Sequence, residues 1–253
     1  MARDGLIYGF HSAEEVILKD PKRVNHIWVP QGKHSPRLKE LLQKAHLNRI
    51  PIKVVDKQAL HRLVGNVRHQ DIVLELSPYK YFDSDDLLER TNQNSIFCIL
   101  DEIQDSTNLG TLIRTMEGAG VQGIFLPERR SAAITAITHR LSAGALEHVK
   151  VARVVNLAHL IELMHERNIR VICADAATTR LWYEADYSGP IAILIGNEYK
   201  GVRRLLKDNS DELVRIPMLG KVQSLNVNVA AAILLYEAVR QRHAKFTSQN
   251  PRS

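Results

Sequence analysis

Short apolar runs alternate along the chain with longer stretches in which apolar residues recur every three to four positions. In the first third, "HSAEEVILK" predicts a helix opening at Ser12, with Glu15 three residues on completing a capping box. "HIWVP" predicts a strand, "SPRLKELLQKAHLN" a helix with Pro in its first turn, "IPIKVVD" a strand, "DKQALHRLV" a helix and "QDIVLEL" a strand. This alternation implies a small α/β domain with a largely parallel sheet. Residues 77–94, "SPYKYFDSDDLLERTNQN", have no sustained periodicity and many turn formers, as a linker would. A second α/β domain begins at "SIFCILDEI", with further strands at "GIFL", "RVICADA", "IAILIG" and "LVRIP" and a long apolar helix from Val229 onward. The expected boundaries are therefore 1–76, a linker 77–94, a domain 95–246 and a disordered polar tail 247–253.

Composition narrows the class. The chain has 253 residues, 45% hydrophobic and 25% charged, as expected of a soluble globular protein with a substantial core. No apolar run approaches the roughly 18 residues of a membrane span. The opening "MARDGLIYGFHSAEE" lacks a basic-then-apolar signal pattern, which predicts a cytoplasmic protein. Cys98 and Cys173 stand alone in strand-like runs, which leaves buried free thiols or a disulfide open. Neither has neighbours at metal-ligand spacing, so no metal site is expected. Charge is uneven: up to Glu75 there are 13 Lys and Arg against 8 Asp and Glu, and beyond it 21 against 20. The basic excess of the first third favours a polyanionic partner.

Three polar clusters follow strands of the second domain, where ligands bind in open α/β sheets. In "LDEIQDSTNLGTLIRTMEGAG", Asn108 reads as an N-cap or a ligand contact, and Arg114 as a surface charge or a functional group near a helix start, where the macrodipole disfavours it. In "IAILIGNEYKGV", Glu198 lies in a turn bounded by Gly196 and Gly201, either solvated or held close to a ligand. In "IPMLGKVQSLNVNVA", Ser224 is placed to cap the final helix, which leaves Asn226 and Asn228 unexplained. They lie about 200° apart on a helix. One is expected to act locally and the other to reach a ligand. The chain contains no G-x-G-x-x-G, no G-x-x-x-x-G-K-[ST] and no G-x-S-x-G, which counts against a dinucleotide site, a P-loop and an α/β-hydrolase.

Taken in order, "NLGTLIRT", "LIGNEYKGV" and "IPMLGKVQSLNVNVA" resemble the three motifs of the SpoU (TrmH-like) branch of the SPOUT RNA methyltransferases. "YGFHSAEEVI", "HQDIV" and "SAGALEHV" extend the resemblance over nearly the whole chain, to the branch acting on a 23S rRNA guanosine. The resemblance implies a SPOUT-type parallel-sheet domain with a deep trefoil knot, a small N-terminal L30e-like RNA-binding domain and a homodimer. It implies S-adenosylmethionine as methyl donor, a ribose 2′-hydroxyl in the peptidyl-transferase P loop of 23S rRNA as acceptor, and neither membrane nor metal. Carried over, Asn108, Arg114, Glu198 and Asn226 form the catalytic set, while Gly196, Ile216, Met218, Ser224 and Leu225 hold the cofactor. Candidate RNA contacts are Lys22, Arg23, Lys33, Arg37 and Lys39. Three positions depart from the family pattern: Ser106 stands for Pro, Asp71 for Gly and Asn228 for Ser.

A sulfonium methyl leaves readily, so the task is to hold and deprotonate a weakly acidic hydroxyl. A guanidinium is a poor base, which makes Arg114 a clamp for phosphate or a stabiliser of developing alkoxide. Two other readings stand beside this one: a sibling enzyme with another tRNA or rRNA target, and a non-catalytic RNA-binding assembly factor.

Overall fold

The computed structural model describes residues 5–65 and 67–249, the last six by their backbone alone. The chain is divided between two units, Met1–Lys80 with Ala133–His148, and Tyr81–Ala132 with Val149–Ser253.

The first unit runs β1 (Leu6–Tyr8), α1 (Phe10–Lys19), β2 (Val24–Pro30), α2 (Pro36–Leu47), β3 (Ile52–Val55), α3 (Lys57–Val64) and β4 (Val73–Leu76). The three-residue β1 is too short to announce itself by period. Ile7, Ala13, Val16, Ile17, Ile27 and Leu41 share one core, and Leu60 and Val64 pack with Leu6 and Val73 in a second. The sheet order is β1-β4-β2-β3. Only β2 and β3 are parallel; β4 runs antiparallel to β1 and β2, which corrects the expectation of a largely parallel sheet. Between α3 and β4 the chain reverses through Gly65, Gln70 and Asp71, with φ of 79°, 53° and 62°. Asp71 thus occupies the left-handed region that glycine enters at least cost and Asp tolerates. Helix α1 opens at Phe10, two residues before the expected start. Gly9 precedes it at φ 95°, and Gln70 Oε1 accepts the Phe10 N–H at 2.8 Å. Ser12 is buried inside the helix rather than capping it.

The second unit begins within the expected linker. Helix α4 (Ser84–Leu88) buries Leu87 and Leu88 in the second unit's core, so residues 77–94 are partly structural. Next come β5 (Ile96–Leu100), α5 (Ser106–Gly118) and β6 (Gly123–Pro127). After α6 (Ala136–Ser142), which belongs to the first unit, the chain forms β7 (Lys150–Val154), α7 (Leu157–Glu166), β8 (Arg170–Ala174), β9 (Ile191–Ile195), α8 (Arg204–Asp208), β10 (Glu212–Val214) and α9 (Val227–Gln249). All six strands are parallel, in the order β10-β8-β9-β5-β6-β7. Strands β5, β6 and β9 are buried at every residue, as unbroken apolar runs in a doubly covered parallel sheet should be. Strand β7 escaped the sequence reading because Lys150 and Arg153 interrupt its apolar pattern. Cys98 and Cys173 are free and buried; burial pushes both thiols up, Cys173 to about 12. Helix α9 continues through Gln249, into the expected tail, whose residues 250–253 lie outside the described residues. Among the described residues no helix is long and apolar enough to cross a membrane.

Residues 133–148 complete the first unit. Arg23 donates from Nη1 to Glu147 Oε1 at 3.4 Å and from Nη2 to His139 Nε2 at 2.8 Å. A guanidinium only donates, so His139 Nε2 accepts and the ring proton resides on Nδ1, 3.6 Å from Glu147 Oε1. Burial, with Arg23 beside it, pushes the His139 pKa down to about 3. Arg23 is only 11% exposed, so it is not the free surface cation that the sequence suggested.

The loop after β9 is fastened to the end of β5 at two points. Asn197 Nδ2 donates to the Glu102 carbonyl at 3.0 Å. Asp101, 1% exposed, accepts the Arg203 backbone N–H at 3.0 Å and its Nε at 2.9 Å, and pairs with Nη2 at 2.6 Å. Between these anchors Gly196 lies so near Gly201 and Val202 that a Cβ would collide with their backbone.

Asp101→Ala leaves Arg203 only the distant Glu102 carboxylate, 4.0 Å from its Nε, and removes the loop's anchor. Because Arg203 is half exposed, the expected loss is on the order of 2–3 kcal/mol in urea unfolding, below the range for a wholly buried pair. For His139 the folded value near 3 lies below the ordinary 6.5. The unfolded chain therefore binds a proton that the folded one refuses, and stability falls as pH drops below about 6.5. From pH 7 to pH 5 the unaltered protein should lose about 1–2 kcal/mol more than His139→Asn, and equal losses would refute the buried neutral histidine.

Candidate functional site

Strands β8, β9 and β10 end side by side, and the segments leaving them enclose a cavity of about 370 Å³. Ala174 ends β8 and Asp175 follows it, Gly196–Gly201 follow β9, and Ile216, Met218 and Gln223–Leu225 follow β10; Val227 and Ala230 of α9 close it. Gly196, Ile216, Met218, Ser224 and Leu225, the five residues expected to hold cofactor, all line this one cavity. Asp175 and Lys207 were not expected there. They face each other across 2.9 Å in its wall.

Glu198 also lines the cavity and is the hub of a polar cluster. Its Oε1 accepts from Asn108 Nδ2 at 2.8 Å and from Asn226 Nδ2 at 3.1 Å. Asn228 Nδ2 donates to Asn108 Oδ1 at 2.9 Å, and the Asn228 backbone N–H donates to Asn226 Oδ1 at 2.9 Å. Two amides, one from α5 and one from the residue that precedes α9, thus fix the orientation of one carboxylate, and a third amide fixes the first.

This geometry resolves the alternation of Ser224, Asn226 and Asn228. Asn226, not Ser224, caps α9, because its Oδ1 takes an N–H of the first turn. The same side chain turns its amide to Glu198, so one residue performs both the local and the site-directed role. Ser224 and Leu225 both line the cavity. Asn228 was missed as a site residue; its signal was an Asn inside an apolar helix, where Asn is costly without a partner.

The first cluster is displaced from its expected register. Asp105 caps α5 by accepting the Thr107 N–H at 2.8 Å; hydrogen bonds from Thr107 hold its carboxyl below the usual range. Ser106 then occupies the first helical position, where Pro is equally at home. Asn108 lies inside the first turn rather than at the cap. Arg114 is the ninth residue of α5, mid-helix, so the unfavourable dipole position inferred for it does not arise. Arg114 is exposed and makes no hydrogen bond or ion pair among the described residues. Six residues from Asn108, it points about 240° around the helix from it. The structure therefore joins Asn108, Glu198 and Asn226 but leaves Arg114 apart.

The cavity suits S-adenosylmethionine on its own chemistry. Ile195, Val214, Ile216, Leu225 and Val227 offer an apolar lining for an adenine, and Glu198, held by neutral amides, supplies an anionic group for a cationic ligand, Asp175 being already paired with Lys207. Among the described residues, no backbone–backbone hydrogen bond engages residues 216–225, so their N–H and C=O groups are available to a ligand. Asn228 Oδ1 is buried without a hydrogen-bond partner, a further acceptor beside the cluster. Among the described residues no group of three or more His, Cys, Asp or Glu is arranged to hold a metal ion.

Residues 6–82 match the RNA 2′-O ribose methyltransferase substrate-binding family, and residues 95–236 match the SpoU rRNA Methylase family. The 23S rRNA (guanosine-2′-O-)-methyltransferase RlmB of Pseudomonas putida is 37% identical over 94% of this chain and 97% of its own. The putative TrmH family tRNA/rRNA methyltransferase YacO of Bacillus subtilis is 38% identical over 89% of this chain and 92% of its own. The AdoMet-bound rRNA methyltransferase from Sinorhizobium meliloti superposes with a TM-score of 0.80 at 25% identity, covering 94% of this chain and 87% of that one. With both halves matched, and with the motif residues gathered around one cavity, the chain belongs to the SpoU rRNA methylase family, whose methyl donor is S-adenosylmethionine.

Proposed function

We propose that this protein methylates the ribose 2′-hydroxyl of a guanosine in 23S rRNA, within the peptidyl-transferase P loop, as a cytoplasmic homodimer. The observation that carries this reading is the convergence of Asn108, Asn226 and Glu198 at the rim of the cavity lined by Gly196, Ile216, Met218, Ser224 and Leu225. The guanosine and 23S specificity is supported by the Pseudomonas putida relative, which carries that activity in its name. A non-catalytic assembly factor would have no need of a carboxylate oriented by two amides beside an intact cavity. The name of the Bacillus subtilis relative leaves room for a tRNA target, and mapping ribose methylation on both RNAs separates the two.

When bound, S-adenosylmethionine supplies an electrophilic methyl group. The protein's own part is positional and electrostatic. Glu198, held by Asn108 and Asn226, keeps a fixed acceptor beside the cavity for the acceptor ribose or for a cation that binds it. Arg114, exposed and standing apart from the Glu198 cluster, serves as the clamp for the target phosphate. Proximity accounts for much of the acceleration, because a hydroxyl held in line with the methyl reacts as if intramolecular.

Arg114→Ala is expected to lower single-turnover methylation at least a hundredfold while calorimetry detects unaltered cofactor affinity; near-normal turnover would remove Arg114 from the mechanism. Asn228→Ala should cut turnover about tenfold, because the Asn108 amide loses the group that sets its orientation. Asn228→Ser should restore part of that loss, and a cofactor affinity that falls in parallel would show that Asn228 acts on the cavity instead.

A further inference from the structure

The first unit holds a second cavity, of about 300 Å³, far in sequence from the motifs. One wall comes from Ile7, Arg23 and Leu76–Tyr79; the other comes from Ile134–Ala136 and His139. We propose that this cavity receives a single nucleobase of the RNA substrate, whose edge is read by the Arg23 guanidinium and whose face packs against the Tyr79 ring. The proposal rests on the RNA-modifying function above and adds a recognition site to it.

Shape and charge select the ligand. Ile7, Leu76, Pro78, Ile134 and Ala136 give the cavity an apolar lining, while Arg23, Tyr79 and His139 form a polar group of planar side chains. The Arg23 guanidinium lies 5.2 Å from the Tyr79 ring centre, and the Tyr79 and His139 rings meet edge to face at 6.5 Å. The cation here is already matched: Glu147, 5% exposed, sits 3.4 Å from Arg23 Nη1. A phosphate would therefore meet a compensated arginine, whereas a neutral heterocycle with acceptors on its edge needs only the donors that remain. Donors do remain. A guanidinium has five N–H bonds; Glu147 and His139 take one each, Nε is buried 3.8 Å from Asp20 Oδ2, and the second N–H of each terminal nitrogen remains. The O6 and N7 acceptors of guanine match such a donor pair. At this volume, near the lower limit of ligand pockets, one base fits and a triphosphate does not. Lys22 and Lys80, exposed and adjacent in sequence to Arg23 and Tyr79, are available to the flanking phosphates. Unstacked bases held on aromatic and guanidinium planes are the usual basis of single-strand RNA recognition.

The test uses the full chain, with a 23S rRNA fragment carrying 6-thioguanosine. Irradiation of the unaltered protein should cross-link the fragment to peptides containing Tyr79 or residues 134–139. Ala136→Phe, which fills the cavity, should lower both the cross-link and RNA affinity about tenfold while S-adenosylmethionine affinity is kept. Tyr79→Ala, which removes a half-buried ring and leaves the Arg23 pairing in place, should do the same if the filled variant fails to fold. Wild-type cross-linking and RNA affinity in either folded variant would overturn the proposal. So would saturable binding of free guanosine monophosphate that RNA fails to displace, since the occupant would then be a nucleotide. Loss of cofactor binding in the unaltered protein would instead overturn the methyltransferase reading, and the cross-link would still report on this cavity.

Discussion

The functional site depends on one buried carboxylate. Asp101 lies at the carboxyl end of β5, almost fully withdrawn from water, where an unpaired charge is costly. Arg203 supplies both a guanidinium and a backbone N–H to it, and those bonds raise the tendency of Arg203 to stay charged. The pair acts as a clasp on a loop of seven residues whose other end is fixed by Asn197 on the Glu102 carbonyl. Glu198 lies between the two fastenings. Its place beside Asn108 and Asn226 follows from the clasp together with the turn's own bonds, in which Asn197 Oδ1 accepts the Tyr199 N–H at 2.9 Å and the Asn197 carbonyl accepts the Gly201 N–H at 2.8 Å.

Close approach completes what the clasp begins. Gly196 allows the returning backbone of Gly201 and Val202 to lie against it, without any special φ of its own. The role is steric, and a glycine so used differs from Gly144 or Gly65, which occupy the left-handed region. The cavity owes its shape in part to this crowding and its polarity to side chains such as Glu198 and Ser224 and to the backbone of residues 216–225, which makes no backbone–backbone hydrogen bond among the described residues. A ligand that satisfies those groups gains hydrogen bonds the protein does not make for itself.

Much of this was legible in the sequence, for identifiable reasons. The buried strands of the second unit were visible because they are unbroken apolar runs, and the three site segments because polar residues crowd where such runs stop. Register was less accessible. Asn108, read as an N-cap, was misplaced by three residues because Asp105, the actual cap, looked like one more charge in an acidic loop. In the first unit the sheet direction was misjudged, since two residues other than glycine at positive φ reverse the chain before β4. The pairing of Asn228 with Asn108 spans 120 residues, a distance no local pattern encodes. The same is true of Arg23, whose partners Glu147 and His139 lie more than 100 residues downstream.

That last separation bears on how the protein emerges from the ribosome. The first unit is not finished when its own strands have been synthesised, because α6 and the turn after it, from Ala133 to His148, belong to its packing. Domains generally fold amino-terminal first, as units, during translation. Here the early segment must wait, with Arg23 and Ile7 incompletely covered, until more than half the polypeptide has been made. Nascent chains of this length are thus the stage at which a chaperone, or its absence, matters most for yield.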